Sequence, residues 1–203
     1  MDKGLSIPEM TGLEFLEEEH IYLLDGVQIP SVSKLMEPLS QHEYMKIDKM
    51  TLLAAAIRGT AVHNAIENCL KYGMEDIDPE YGSYLEAFKG WRDEVKPEPL
   101  GSEVRVYHKL SRYAGTADLI AVVGGKLTLI DYKTSYKLAE KNVRVQLEAY
   151  SQALASHGII IEGKTALHLT KDGKWKAHDF PARDAEALRV FNSLKCLYDY
   201  LAV

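Results

Sequence analysis

Along the chain, apolar and polar positions change rhythm several times, and each change marks an element. Residues 20–33 alternate apolar and polar and contain Asp25-Gly26, a pair suited to the positive φ values of a two-residue turn, which predicts an N-terminal β-hairpin. From Gln41 to Tyr72 helix formers dominate; Val62, Ile66 and Cys69/Leu70 make one apolar stripe, and Gly73 is placed to stop the helix. A second helix is predicted around 84–95, between Pro79 and the pair Pro97 and Pro99. Strands are predicted over 103–108, 116–123 and 126–133, followed by a helix over 139–156 that Gly158 ends. Residues 164–180 read as another hairpin turning at Asp172-Gly173, and Pro181 suits the first turn of a last helix. In that helix Leu188, Phe191, Leu194, Leu197/Tyr198 and Leu201 would form the buried stripe.

Helices, then strands, helix, strands and helix give a mixed α/β arrangement with no repeat or linker, so residues 1–203 are expected to form one domain. Its expected parts are an N-terminal hairpin extension over 1–40, a core over 55–155 and a C-terminal hairpin and helix over 160–203. A hydrophobic share of 46% and a charged share of 27% are those of an ordinary globular chain and exclude collagen-like and disordered readings. The longest apolar runs, Leu52 to Ile57 and Gly158 to Ile161, fall far short of a bilayer span, so no membrane association is expected. Met1 to Pro8 lacks a basic segment followed by an apolar one, and the cysteines Cys69 and Cys196 are too few for a disulfide framework, so a reducing cytosol is expected.

The net charge of −6 argues at first against a nucleic-acid partner, but it is unevenly placed. Residues 1–25 hold seven acids against the single base Lys3, which leaves the other 178 residues balanced. Within that body Lys133, Lys137, Lys141 and Arg144 suggest a local basic track, and DNA affinity through it would be modest and salt-sensitive.

The candidate chemistry lies in one hairpin. Gly124-Gly125 can supply both positive φ values of a type I′ turn, so that Val123 pairs with Lys126 and Asp118 falls opposite Asp131. Opposed side chains lie about 5 Å apart and like charges there destabilise a sheet, so something must offset the repulsion. A divalent cation between the carboxylates is the simplest candidate. Strand alternation sets Lys133 on the face of Asp131, where an ammonium can orient a water and stabilise charge on a phosphate. The plainer alternative is a structural ion-pair cluster at a strand end.

Three features accompany this hairpin. Gly59 and His63 share a helix face, where the missing side chain would let a strand or ligand approach the imidazole, although a lone helical histidine is more often a packing residue. Gln146 and Tyr150 share a face of the next helix and either pack there or hold a phosphate or a base edge. Glu103 opens its strand, where an exposed glutamate is the ordinary case.

Taken in order, Gly59-x-x-x-His63, Glu103, Gly115-Thr116-Ala117-Asp118, Asp131-Tyr132-Lys133 and Gln146-x-x-x-Tyr150 resemble the RecB-like exonuclease branch of the PD-(D/E)xK nuclease superfamily. The resemblance covers roughly residues 55–155, and Ile29-Pro30-Ser31-Val32-Ser33 looks more loosely like the opening of phage-encoded members. It implies a restriction-endonuclease-like fold, a mixed β-sheet flanked by helices. It also implies that His63, Asp118, Asp131 and the Tyr132 carbonyl bind Mg²⁺ or Mn²⁺ and that Lys133 assists the attacking water. Gln146 and Tyr150 would steady the DNA strand or the lysine, and Glu103 would be a supporting acid. Ala117 stands where the superfamily's name has proline, which has no chemical role. Two distant cysteines exclude the iron–sulfur cluster of some branches, which needs four thiolates, and no phosphate-binding loop of a helicase motor occurs.

The expected activity is therefore metal-dependent DNA exonuclease action by water attack on phosphorus, in phage or bacterial recombination or repair. DNA is the expected partner, with a single-strand annealing or recombination protein as a further one, in a bacterial or phage-infected host cytosol. Two alternatives remain: a structure-specific endonuclease using the same site, which alone would cut covalently closed circles, and a non-catalytic DNA-binding subunit, which would bind without cleaving.

Overall fold

A computed structural model describes residues 7–202; the segment 1–6, on which most of the export expectation falls, lies outside the described residues. The chain begins with three short strands, β1 (Leu13–Leu16), β2 (Ile21–Leu24) and β3 (Val27–Ile29), paired antiparallel in that order. Asp25 and Gly26, at φ 52° and 75°, make the predicted turn between β2 and β3. The hairpin is thus widened by β1, whose alternation is masked in sequence by the acidic run Glu17-Glu18-Glu19 that follows it.

The helix-forming stretch from Gln41 divides in two. After the single turn α1 (Val32–Leu35), α2 (Glu37–Tyr44) ends, and α3 (Lys49–Tyr72) starts afresh because the Asp48 side chain accepts from the Thr51 backbone N–H at 2.9 Å. Gly73, at φ 67°, closes α3, and α4 (Gly82–Val95) follows. The second sheet contains β4 (Glu98–Tyr107), β5 (Ala114–Val123), β6 (Lys126–Lys133), β7 (Gly163–Leu169) and β8 (Trp175–Phe180), neighbours in that order. Every pairing is antiparallel except β6 with β7, which are joined across α5 (Glu140–Ala155). The sheet is mixed and flanked by helices, as a restriction-endonuclease-like fold requires.

Strand alternation divides the apolar residues between two layers. Leu119, Ala121, Ile130, Tyr132 and Leu167 pack against Val62 and Ile66 of α3 and Phe88 and Trp91 of α4. Ile120, Leu129 and Ala166 pack on the opposite face against Val143, Leu147 and Leu154 of α5 and Phe191 of α6 (Ala185–Leu201). Two expectations for α6 need correction. Pro181 lies in the connection rather than in the first turn, because Asp184 caps the helix by accepting from the Ala187 N–H. Leu197 and Leu201 are exposed, since the end of the helix runs past the layer it packs on.

The N-terminal sheet buttresses the larger one. Tyr22, Leu24 and Ile29 enclose Ala114, Tyr22 Oη lies 2.8 Å from Thr116 Oγ1, and the Ala114 N–H donates to the Pro30 carbonyl. No helix among the described residues is long and apolar enough to cross a membrane.

Candidate functional site

Gly124 and Gly125, at φ 55° and 79°, form the turn that the sequence requires, and the ladder runs from Val123↔Lys126 to Leu119↔Ile130. Continued by one pair it sets Asp118 opposite Asp131, where the Asp118 carboxylate breaks the ladder by accepting from the Tyr132 N–H at 2.7 Å. The β4–β5 register, Ser102↔Leu119 and Val104↔Ala117, sets Glu103 opposite Asp118 on the other side. Three carboxylates therefore cross three adjacent strands in one row. Glu103 sits at φ 52°, a left-handed backbone that a glutamate enters only at a cost, and strain of this kind concentrates at functional sites.

His63, projecting from α3, closes the row from above. Its Nδ1 lies 3.6 Å from Asp118 Oδ1 and 3.7 Å from Glu103 Oε1, while Nε2 donates to the Tyr132 carbonyl at 3.3 Å. Burial pulls the imidazole pKa down, but Asp118 and Glu103 outweigh it and lift the value to about 9. Without a cation the ring is thus an imidazolium at neutral pH, its two N–H groups facing the carboxylates and the Tyr132 carbonyl, and it must give up the Nδ1 proton to ligate a metal. Burial raises the pKa of Asp118 despite His63 and Lys133, and it raises that of Asp131 to about 6, Lys133 opposing and Asp118 adding.

Lys133 Nζ lies 2.6 Å from Asp131 Oδ2 and donates to Gln146 Oε1 at 3.2 Å; Gln146 Nε2 in turn lies 3.4 Å from Tyr150 Oη. Burial opposes its charge, yet Asp131 and Asp118 prevail and raise its pKa, so it stays an ammonium. Tyr150 packs on Gly115, where an added Cβ would stand 2.5 Å from Cε1 of the ring. That contact explains glycine at this place in the Gly115-Thr116-Ala117-Asp118 run.

A cavity of about 310 Å³ opens beside His63, Lys133 and Gln146, lined by Gly59 and His63 of α3, Tyr132 and Lys133 of β6, and Asn142 and Gln146 of α5. A Cβ on Gly59 would meet nothing within 4 Å, so the glycine faces empty space in the cavity. His63, Glu103 and Asp118 offer ligand atoms within 4.8 Å of one another, a donor set of hard oxygens and one imidazole that suits a divalent cation. Asp131 Oδ1 and Glu103 Oε1 are buried without a hydrogen-bond partner, as carboxylates awaiting a cation would be.

All eight expected residues, His63, Glu103, Asp118, Asp131, Tyr132, Lys133, Gln146 and Tyr150, are joined by these contacts. Glu103 holds a more central place than expected. Sequence could not align it with Asp118, because six residues separate β4 from β5 and no two-residue turn sets their register. Arg58, which reaches Thr134 Oγ1 at 3.4 Å beside the cavity, was missed, its only signal being its place before Gly59. The basic track loses Arg144, which forms ion pairs with Asp184 and Glu186.

The family model of the PD-(D/E)XK nuclease superfamily matches residues 34–190. No curated protein matches the sequence. Among solved structures, the chain is similar to one described as the crystal structure of SSO0001, at TM-score 0.44 and 17% identity, covering 82% of this chain and 74% of that one. It is also similar to an alkaline exonuclease (LHK-Exo) from Laribacter hongkongensis, at TM-score 0.42 and 12% identity, covering 67% of this chain and 75% of the other. The same exonuclease in complex with dAMP matches at TM-score 0.42 and 12% identity over 82% of this chain and 84% of the other.

Proposed function

The chain belongs to the PD-(D/E)XK nuclease superfamily, and from that premise we propose that it is a Mg²⁺- or Mn²⁺-dependent DNA exonuclease of the RecB-like branch. The observation that carries the reading is the row of Glu103, Asp118 and Asp131 under His63, with carboxylate oxygens left buried and unpartnered beside a protonated lysine. His63, Glu103 and Asp118 would hold the cation, with Asp131 and the Tyr132 carbonyl beside them. A divalent ion bound there supplies a water of lowered pKa and neutralises charge on the phosphate.

The protein's own groups then have defined tasks. Lys133 remains charged, so it serves as a fixed positive charge toward the phosphoryl oxygens rather than as a base. Asp131 and Gln146 hold its ammonium from two sides, and Tyr150 holds Gln146. In the reaction a water oxygen bonds to phosphorus, one P–O ester bond breaks, and the departing oxygen takes up a proton. Residues 55–155 form the catalytic core in this reading, and the cytosolic setting is recombination or repair of phage or bacterial DNA. A single-strand annealing or recombination protein would be its companion in that setting.

Labelled linear and covalently closed circular DNA, incubated with Mg²⁺ or Mn²⁺, test the proposal. Linear DNA is expected to be degraded from its ends, circles to survive, and Asp131→Ala and Lys133→Ala to lose activity by 100-fold or more, as removal of a charge-stabilising group does at roughly 10²–10³. Cleaved circles would make the protein an endonuclease. Unaltered cleavage by both variants would place the chemistry elsewhere.

A further inference from the structure

We infer that the apolar cleft between the first half of α3 and loop 134–139 receives a nucleobase of the substrate strand, with Tyr136 as its stacking surface. The inference rests on the nuclease reading above and deepens it. The cleft, about 630 Å³, shares Tyr44, Ala55, Arg58, Ser135 and Ala139 with the cavity over Lys133, so the two form one continuous depression. Tyr136 is fully exposed, at 103% of its reference surface. An aromatic ring held wholly in water contributes nothing to the core and keeps its full stacking area for a ligand. Ile47 and Leu52 line the same cleft and are partly exposed, and beyond them Met50, Leu53 and Ile57 stand out on α3.

Charge decides which occupant fits. Arg58 and Lys137 line the cleft, and neither forms an ion pair among the described residues; Glu43 is its one acidic wall residue. Arg58 is further steadied by Thr134 and lies 5.7 Å from the Tyr84 ring centre. A nucleotide pairs a flat apolar face with an anionic phosphate, and the cleft pairs an aromatic and aliphatic wall with two cations. Tyr136 follows Lys133 by three residues, at most about 10 Å of extended chain, so a base next to the scissile phosphate comes within reach of the ring. Stacking on an aromatic side chain is tolerant of base identity, which suits an enzyme that degrades any sequence.

The test uses the full chain. In the Asp131→Asn background with Mg²⁺, where the strand stays intact, a single-stranded oligonucleotide carrying 2-aminopurine near its end is titrated with protein. Stacking on Tyr136 is expected to quench the fluorophore; Tyr136→Ala should abolish the quench and weaken binding about tenfold, and Tyr136→Trp should restore both. With Asp131 intact, Tyr136→Ala should raise KM about tenfold while kcat stays within twofold. Equal quenching and equal KM in Tyr136→Ala would overturn the inference while the nuclease reading stands. A wild type that cleaves no DNA would overturn that reading, and this inference with it. Sedimentation showing that Tyr136→Ala dissociates an oligomer without altering DNA binding would also overturn it, by assigning the cleft to a second copy of the chain.

Discussion

Burying Asp131 beside Asp118 raises its pKa to about 6, well above the ordinary aspartate value of 3.8, and even the Lys133 ammonium does not restore it. For an acid shifted upward, folding favours the protonated form. The folded state is therefore fully stable with respect to this group below about pH 4 and loses stability as pH rises toward 6. Asp131→Asn fixes the neutral form, so it should abolish cleavage yet raise the unfolding free energy by on the order of 1–3 kcal/mol at pH 8 and change little at pH 4. Urea unfolding at the two pH values measures this. An equal effect at both would mean that the carboxylate is not the destabilised group. A site that costs stability without a cation is what function at a charged row requires, because the same repulsion is what a cation relieves.

At the scale of elements, α3 and α5 each carry one functional face and one structural face. On α3, Gly59 interrupts a helix interior without any neighbour that would exclude a side chain. Gly59→Ala should therefore stabilise the protein by about 0.5–1 kcal/mol in thermal unfolding, whereas Gly59→Leu should fold equally well and lose activity by filling the cavity. Retained activity in Gly59→Leu would show that substrate does not use that space. On α5, Gln146 and Tyr150 face the site while Glu148 points to the other side, pairing with Lys164 and accepting from the Asp184 N–H and from Gln152. Lys164 and Glu148 are each 1% exposed, so Lys164→Met leaves a buried charge without its counterion and should cost about 3–5 kcal/mol. The double variant Lys164→Met/Glu148→Leu should recover much of that loss, and chemical denaturation of the three proteins reads it directly.

For the whole molecule, the charge balance matters more than its total. The net −6 equals the excess of the first 25 residues, and in the structure several cations of the remainder are already committed: Arg144 to Asp184, Lys164 to Glu148 and Lys133 to Asp131. Among the described residues, the lysines and arginines that line these cavities without an ion pair are Arg58 and Lys137. Binding of single-stranded DNA should then weaken with salt only gently, with a log–log slope of about −1 to −3, since each released counterion contributes roughly 0.7. Fluorescence anisotropy between low and moderate salt measures it, and a slope steeper than about −5 would reveal a basic surface remote from this cavity.

The sequence by itself determined whatever depends on neighbours in the chain. Gly124-Gly125 set the β5–β6 register and hence the opposition of Asp118 and Asp131; Asp25-Gly26 set the N-terminal turn; helical spacing put His63 beside Gly59 and Gln146 beside Tyr150. Tertiary structure alone decided what depends on long closures. The alignment of Glu103 with Asp118 follows from the packing of β4 rather than from any turn, and the contact of Tyr150 with Gly115 joins a helix to a strand 35 positions away. The division of the Gln41–Tyr72 stretch at Asp48 and the escape of Leu197 and Leu201 from the core were equally hidden. The reason is physical: a two-residue turn admits one register, whereas a six-residue connection or a helix docking on a sheet is fixed only by which surfaces finally bury each other.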